Sequence, residues 1–162
     1  LSTNLPSFQK RFPDAKILYM IRDPLNVIPS GLSLVTGVLD KRFGFWSLEK
    51  RKRDQYIERL YNALVTLLKR FHEDWTNEKI NKSGVLIVRY DQMMSDFDQL
   101  MENILNFIDQ KPSEELIEKI KKTAEMQRNY KSEHGYDLEK FGLTEDQIKK
   151  DCHFVYETFL TE

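Results

Sequence analysis

An arginine and a serine eight residues apart, Arg22 and Ser30, are the side chains whose types and spacing best suit anion binding. Arg22 ends a stretch in which five apolar residues, 17–21, stand together, and it precedes Asp23 and Pro24. A guanidinium offers a planar fork of N–H donors that matches a phosphate, and a hydroxyl adds one donor. The pair therefore predicts a phosphate clamp that acts through charge and hydrogen bonds, not through proton transfer.

The elements that position this pair are a short strand and the helix after it. The unbroken apolar run predicts a strand at about 16–22, buried on both faces as in a parallel sheet. Asp23 and Pro24 predict the N-cap and the first residue of a helix over 24–40. Ligands bind at the carboxyl ends of strands in open α/β sheets, and helix N-termini favour anions. Arg22 is therefore expected where such an anion would lie.

Two readings of these residues stay open at this point. Arg22 could instead be an ordinary strand-end arginine that pairs with Asp23 or another carboxylate. Ser33, one turn further along the helix, could replace Ser30 as the hydroxyl.

Most of the remaining chain shows helical periodicity. Ser47 predicts the cap of a long helix that reaches Trp75, and Pro29 predicts a kink in the helix before it. The run Val85–Tyr90 predicts the second buried strand, parallel to the first because a long helical connection joins them. Further helices are predicted at 6–11, 97–108, 113–129 and 144–160. The basic run at 50–53 is interpreted as a solvated helix face.

Composition limits the class of protein. The 162 residues hold 25 basic and 26 acidic side chains, with a net charge of −1, so neither nucleic acid nor a membrane is expected as a partner. No apolar run is long enough to cross a membrane. The composition favours a soluble protein; the cytoplasm is preferred as its location, although the residues do not identify the compartment. The single cysteine, Cys152, excludes an internal disulfide and is predicted to be a buried structural thiol.

Residues 12–30 resemble a motif of the sulfotransferase family. In that motif a strand of the form Phe-Pro-x-Ala-Lys-x-Ile-x-x-x-Arg-Asp-Pro is followed by a Ser eight residues after the Arg. The segment 85–93 is similar to a later strand of the family that ends Arg-Tyr-Glu-Asp-Leu. The segment 130–144 is similar to a C-terminal segment of the bacterial-type branch. These matches run in the family's order from about residue 1 to the end of the chain.

The resemblance implies a donor, a fold and a set of site residues. The fold would be a P-loop-like, three-layer α/β/α architecture, mostly helical here with two parallel strands, and 1–162 would be a single partial domain. Sulfuryl transfer would run from 3′-phosphoadenosine-5′-phosphosulfate to an unidentified hydroxyl or amine acceptor, without a metal. Arg22 and Ser30 would hold the 3′-phosphate, and Tyr90 would line the adenine side. The last two implied contacts, Lys131 and Ser132, would close over the nucleotide.

The chain also departs from the family pattern. It holds no loop of the form Pro-x-Ser-Gly-Thr-Thr, which cradles the 5′-phosphosulfate in the family, and Asn4 stands where the steroid- and phenol-type branch has its catalytic His. His134 is interpreted as a structural hydrogen-bonding group, not as the base, so no catalytic residue is identified. The chain is therefore interpreted as the C-terminal part of a bacterial-type or Golgi-like sulfotransferase that is inactive by itself.

Two other functions are compatible with the same residues. One is a non-catalytic helical interaction or oligomerisation module derived from a sulfotransferase, with homo-oligomers formed through exposed sheet edges. The other is a P-loop kinase-like protein that has lost its loop and prefers ATP. The choice of nucleotide distinguishes these functions from sulfuryl transfer.

Overall fold

The computed structural model describes residues 4–130 and 137–161. These ranges are mostly helical and contain two parallel strands, which confirms the predicted α/β class. The strands are β1 (Ile17–Ile21) and β2 (Val85–Arg89). The helices are α1 (Leu5–Arg11), α2 (Pro24–Phe43), α3 (Lys50–Thr76), α4 (Tyr90–Ser95), α5 (Phe97–Phe107), α6 (Glu114–Asn129), α7 (Glu145–Asp151) and α8 (His153–Val155), with 3₁₀ turns at Phe45–Ser47, Lys82–Gly84 and Glu139–Phe141 and a π-helical turn at Tyr156–Leu160.

The described residues form two compact units, each built from two separate stretches of chain. The helical unit consists of residues 23–76 and 137–161. The sheet unit consists of residues 4–22 and 77–130. The chain passes from the sheet unit to the helical unit between Arg22 and Asp23.

The sheet unit is built on β1 and β2, which pair in parallel from Ile17 opposite Val85 to Ile21 opposite Arg89. The prediction that β1 is buried on both faces is wrong. Leu18 is 48% exposed and Met20 is 54% exposed, whereas Ile17 and Ile21 are buried. Side chains alternate across a strand, so Leu18 and Met20 lie on one face of β1 and are exposed there, while Val88, opposite Met20 on β2, is buried.

The second strand is shorter than predicted. β2 ends at Arg89, and Tyr90 begins the short helix α4, which the sequence did not predict. The amphipathic helix α5 follows and buries Leu100 and Leu105, as its apolar spacing indicated. α6 begins where predicted, because the Ser113 hydroxyl caps it by accepting a hydrogen bond from the backbone N–H of Leu116 at 3.2 Å.

The helical unit is built on the pair α2 and α3. α2 continues through Pro29 to Phe43, three residues beyond the predicted end, and stops at Gly44, whose φ is 62°. The kink at Pro29 stays a prediction. Ser47 does not cap α3, which begins at Lys50; the Ser47 hydroxyl donates instead to the carbonyl of Gly44 at 2.7 Å. That local hydrogen bond closes a 3₁₀ turn and competes with capping.

The core of the helical unit joins its two stretches of chain. The predicted stripe of α3 faces inward, with Ile57, Tyr61 and Phe71 buried. Ile57 and Tyr61 belong to one cluster with the buried residues Ile28, Leu32, Phe45, Phe141, Leu143 and Ile148. The predicted helix 144–160 is divided at Cys152, although Thr144 caps its first part as expected by accepting from the N–H of Gln147.

Within the described ranges, no helix combines the length and apolar character needed to cross a membrane.

Candidate anion-binding site

Arg22 lies just after the carboxyl end of β1, as the sequence predicted. Its guanidinium carbon lies 4.1 Å from the centroid of the Tyr90 ring, a cation–π contact within the sheet unit. The strand register explains this contact. Ile21 lies opposite Arg89 at the ends of the two strands, so the residues that follow them, Arg22 and Tyr90, leave the sheet as neighbours.

The charge of Arg22 is not offset by a carboxylate in the part of the chain that the structure describes. Among residues 4–130 and 137–161, no carboxylate forms an ion pair with its guanidinium, so the open reading in which Arg22 pairs with Asp23 is wrong. The Tyr90 ring orients the guanidinium without neutralising it. A half-buried, oriented and unpaired guanidinium is well suited to a phosphate.

Asp23 caps α2, as predicted. Its Oδ1 accepts a hydrogen bond from the backbone N–H of Leu25 at 2.8 Å and another from the Tyr156 hydroxyl at 2.6 Å. Its backbone carbonyl accepts from the N–H groups of Asn26 at 2.8 Å and Val27 at 3.0 Å. Pro24 has no N–H to offer.

The first turn of α2 therefore uses its own donors. The sequence suggested that this helix N-terminus would attract an anion, but its backbone N–H groups already bond to Asp23. The start of α2 therefore offers few free backbone donors to an anion.

Ser30 lies on α2 in the helical unit, whereas Arg22 lies in the sheet unit. Ser30 is half-buried and Ser33 is exposed. Within the part of the chain that the structure describes, neither hydroxyl forms a hydrogen bond. Ser30 is the better candidate of the two, because a half-buried hydroxyl gains more from a ligand partner than one that water already solvates.

Of the three other residues predicted to contact the nucleotide, the structure describes one. Tyr90 is half-buried and contacts Arg22, as noted above. Lys131 and Ser132, with the neighbouring His134, lie outside the described residues. Their roles stay predictions.

The sequence reading missed a second arginine at the same edge of the sheet. The Arg89 side chain donates from Nε to Asp91 Oδ1 at 3.1 Å and from Nη2 to Asp91 Oδ2 at 2.5 Å. These hydrogen bonds lower the pKa of the Asp91 carboxyl. Because the Asp91 carboxylate offsets the positive charge of Arg89, we expect Arg89 to attract an anion less strongly than Arg22 does. The signal that could have found it was Arg-Tyr-Asp at the predicted end of the strand.

Two tyrosine–aspartate hydrogen bonds hold the helical unit together. The Tyr61 hydroxyl donates to Asp151 at 2.7 Å, and the Tyr156 hydroxyl donates to Asp23 at 2.6 Å. Burial, followed by the bond to the carboxylate, raises the pKa of each tyrosine, so both stay protonated donors at neutral pH. The partners lie 90 and 133 residues apart, which explains why local patterns did not reveal them.

Other candidate groups have structural contacts. In the basic run at 50–53, Lys50 pairs with Asp54, and Arg53 donates to the carbonyl of Trp46. His72 packs 5.0 Å from the Phe154 ring. In the part of the chain that the structure describes, no group of three or more His, Cys, Asp or Glu side chains is arranged to hold a metal ion.

Comparison with known families adds one finding. A family model described as the Sulfotransferase family matches residues 2–115, more than half of the chain. The chain belongs to the sulfotransferase family. The part of this sulfotransferase-family chain that matches contains Arg22, Ser30 and Tyr90, while residues 116–162 lie beyond it. Neither a curated protein nor a solved structure matches the chain significantly.

Proposed function

We propose that this chain binds the 3′-phosphate of 3′-phosphoadenosine-5′-phosphosulfate and serves sulfuryl transfer to a hydroxyl or amine acceptor. The observation that carries the proposal is the Arg22 guanidinium, which follows β1, stacks on Tyr90 and has no ion-pair partner among the described residues. Membership of the sulfotransferase family supports it. The interpretation of 1–162 as a single partial domain is part of the same proposal.

A small number of side chains are proposed to contact the nucleotide. Arg22 supplies charge and a bidentate fork to the 3′-phosphate, and Ser30 supplies a hydroxyl donor. One face of the Tyr90 ring is covered by Arg22, so the adenine would use the opposite face. Lys131 and Ser132 are proposed to close over the nucleotide.

The proposal also covers the branch and the activity of the chain. The similarity of 130–144 to the bacterial-type branch supports a bacterial-type or Golgi-like assignment. These 162 residues contain no Gly-rich Ser/Thr loop for the 5′-phosphosulfate and no identified base. The chain by itself is therefore expected to bind the nucleotide without turning it over.

Calorimetric titration tests the phosphate site. We expect 3′-phosphoadenosine-5′-phosphate to bind and adenosine-5′-phosphate, which lacks only the 3′-phosphate, to bind at least about tenfold more weakly, a difference of about 1.4 kcal/mol. Arg22→Ala should remove this preference, and Arg22→Lys should restore only part of it because an ammonium lacks the planar fork. Arg51→Ala, at an exposed position of α3, is the matched control and should bind like the unaltered chain.

Other outcomes contradict the proposal in different ways. Equal affinity for the two nucleotides, or an Arg22→Ala variant that keeps the preference, would remove Arg22 from the site. Tighter binding of ATP would favour the kinase-like alternative. The absence of any nucleotide binding would favour the non-catalytic interaction module.

A further inference from the structure

One oxygen of Asp23 accepts hydrogen bonds both from the start of α2 and from the C-terminal segment. Asp23 Oδ1 accepts from the N–H of Leu25 at 2.8 Å and from the Tyr156 hydroxyl at 2.6 Å. The first hydrogen bond caps α2, the helix that carries Ser30. The second reaches across 133 residues of chain. The carboxylate that follows Arg22 in the sequence is thus held by a residue outside the region of the family match.

Tyr156 is itself held firmly within the helical unit. It opens the π-helical turn at Tyr156–Leu160, directly after the buried residues Phe154 and Val155. In the same turn the ring of Phe159 packs 5.5 Å from Phe71 of α3. The Tyr156 hydroxyl therefore meets Asp23 from a packed support, so its position is defined before any ligand binds.

The negative charge of Asp23 makes its hydrogen bond with Tyr156 relevant to phosphate binding. A carboxylate on the residue after Arg22 would compete with a phosphate for the guanidinium, because both are anions suited to the same fork. In the structure that carboxylate points its Oδ1 at two donors of the helical unit, and Arg22 forms no ion pair among the described residues. The Tyr156 hydroxyl is the side-chain donor of the two, so a conservative substitution to phenylalanine removes it.

We propose that Tyr156 is a positioning residue for the phosphate site: it holds the Asp23 carboxylate in the cap of α2 and so keeps Arg22 available to the 3′-phosphate of the nucleotide. This inference rests on the proposed function. Tyr156 touches neither nucleotide nor acceptor in this account. It acts through Asp23 alone.

A set of variants of the full 162-residue chain tests the inference, with the dissociation constant for 3′-phosphoadenosine-5′-phosphate and the melting temperature as readouts. Tyr156→Phe removes only the hydroxyl and should weaken binding by about tenfold, since the freed carboxylate competes for Arg22. Asp23→Asn in the Tyr156→Phe background removes the competing charge and keeps an oxygen that can cap α2. That double variant should bind within about threefold of the unaltered chain.

Tyr61→Phe is the matched control, because it removes the other tyrosine–aspartate hydrogen bond of the helical unit, at 2.7 Å. It should lower the melting temperature about as much as Tyr156→Phe does and leave the dissociation constant unchanged. A general loss of stability would instead weaken binding equally in both single variants and would not be restored by Asp23→Asn.

Each outcome decides the matter. Failure of the unaltered chain to bind the nucleotide would overturn the proposed function and the inference with it. Binding by the unaltered chain with unchanged affinity in Tyr156→Phe would overturn the inference alone. Equal weakening in the two tyrosine variants, or no recovery in the double variant, would also overturn it.

Discussion

At the scale of single residues, two arginines at one edge of the sheet differ in what they can bind. Arg89 gives its fork to Asp91, whereas Arg22 lies on the Tyr90 ring with no ion-pair partner among the described residues. Both follow apolar runs in the sequence and look alike there. Their surroundings distinguish them, because the Asp91 carboxylate offsets the charge of Arg89 and already accepts from two of its N–H donors.

Cys152 carries a prediction at the same scale. It is fully buried, and burial, followed by the nearby charge of Asp151, raises the pKa of its thiol to about 11. At pH 8 only about one thiol in a thousand would be ionised, and the thiolate is the reactive form. We expect a disulfide reagent to modify the folded chain at least about a hundredfold more slowly than the chain unfolded in guanidinium chloride.

The unfolded chain is the control for this measurement, since the 162 residues contain one cysteine and the reaction reports on a single site. Fast labelling of the folded protein would contradict the buried position of Cys152.

At the scale of elements, α2 shows how local chemistry sets the limits of a helix. Asp23 caps its start, and Gly44 stops it with a φ of 62°, in the left-handed region that glycine adopts without a steric penalty. Gly37 lies inside the same helix, and a Cβ added there would meet nothing within 4 Å. A side chain is therefore expected to be unfavourable at Gly44 and tolerated at Gly37.

Replacement of each glycine by alanine should change stability in opposite directions. Gly44→Ala should lower the free energy of unfolding by about 1 kcal/mol, because a Cβ is strained at positive φ and would lie 3.0 Å from the Ser47 hydroxyl oxygen. Gly37→Ala should raise it by up to about 1 kcal/mol, since alanine loses less backbone entropy in a helix. Urea unfolding followed by circular dichroism measures both, and a change of the same sign in the two variants would contradict this account.

At the scale of the whole molecule, both compact units combine stretches that are distant in sequence. In the helical unit, residues 137–161 complete the core of residues 23–76, and the fully buried Ile148 of α7 packs there with Ile28 and Leu32. The C-terminal segment is therefore part of the support of α2. It shares a hydrophobic core with the region that matches the family.

Ile148→Ala tests this integration. It should lower the free energy of unfolding of the helical unit by about 2–4 kcal/mol, because a fully buried aliphatic side chain leaves a cavity. Leu34→Ala removes an isomeric side chain that is 69% exposed on α2 and should cost less than about 1 kcal/mol. Hydrogen exchange of amides in α2 and α3 provides the measurement, and similar losses in the two variants would mean that Ile148 is not a core residue.

Features that depend on neighbours in the chain could be predicted from the amino-acid sequence. Asp23 and Pro24 start α2 as predicted, and Ser113 and Thr144 cap the helices that follow them. The longer helices and the two strands could also be predicted, because the spacing of apolar side chains differs between a helix and a strand. The Ser47 cap was wrong, since one hydroxyl can serve either a helix or a local turn and the sequence alone does not choose between them.

Tertiary packing decides which side chains are engaged by distant partners and which faces stay exposed. The open face of β1 at Leu18 and Met20 depends on which elements cover the sheet, and an apolar run cannot report that. The hydrogen bond from Tyr156 to Asp23 joins residues 133 positions apart. Such a bond has no local signature, because it forms only when packing brings the two side chains together. The sequence could therefore place an arginine at the end of a strand, but the fold determined that its guanidinium lies over the Tyr90 ring and forms no ion pair among the described residues.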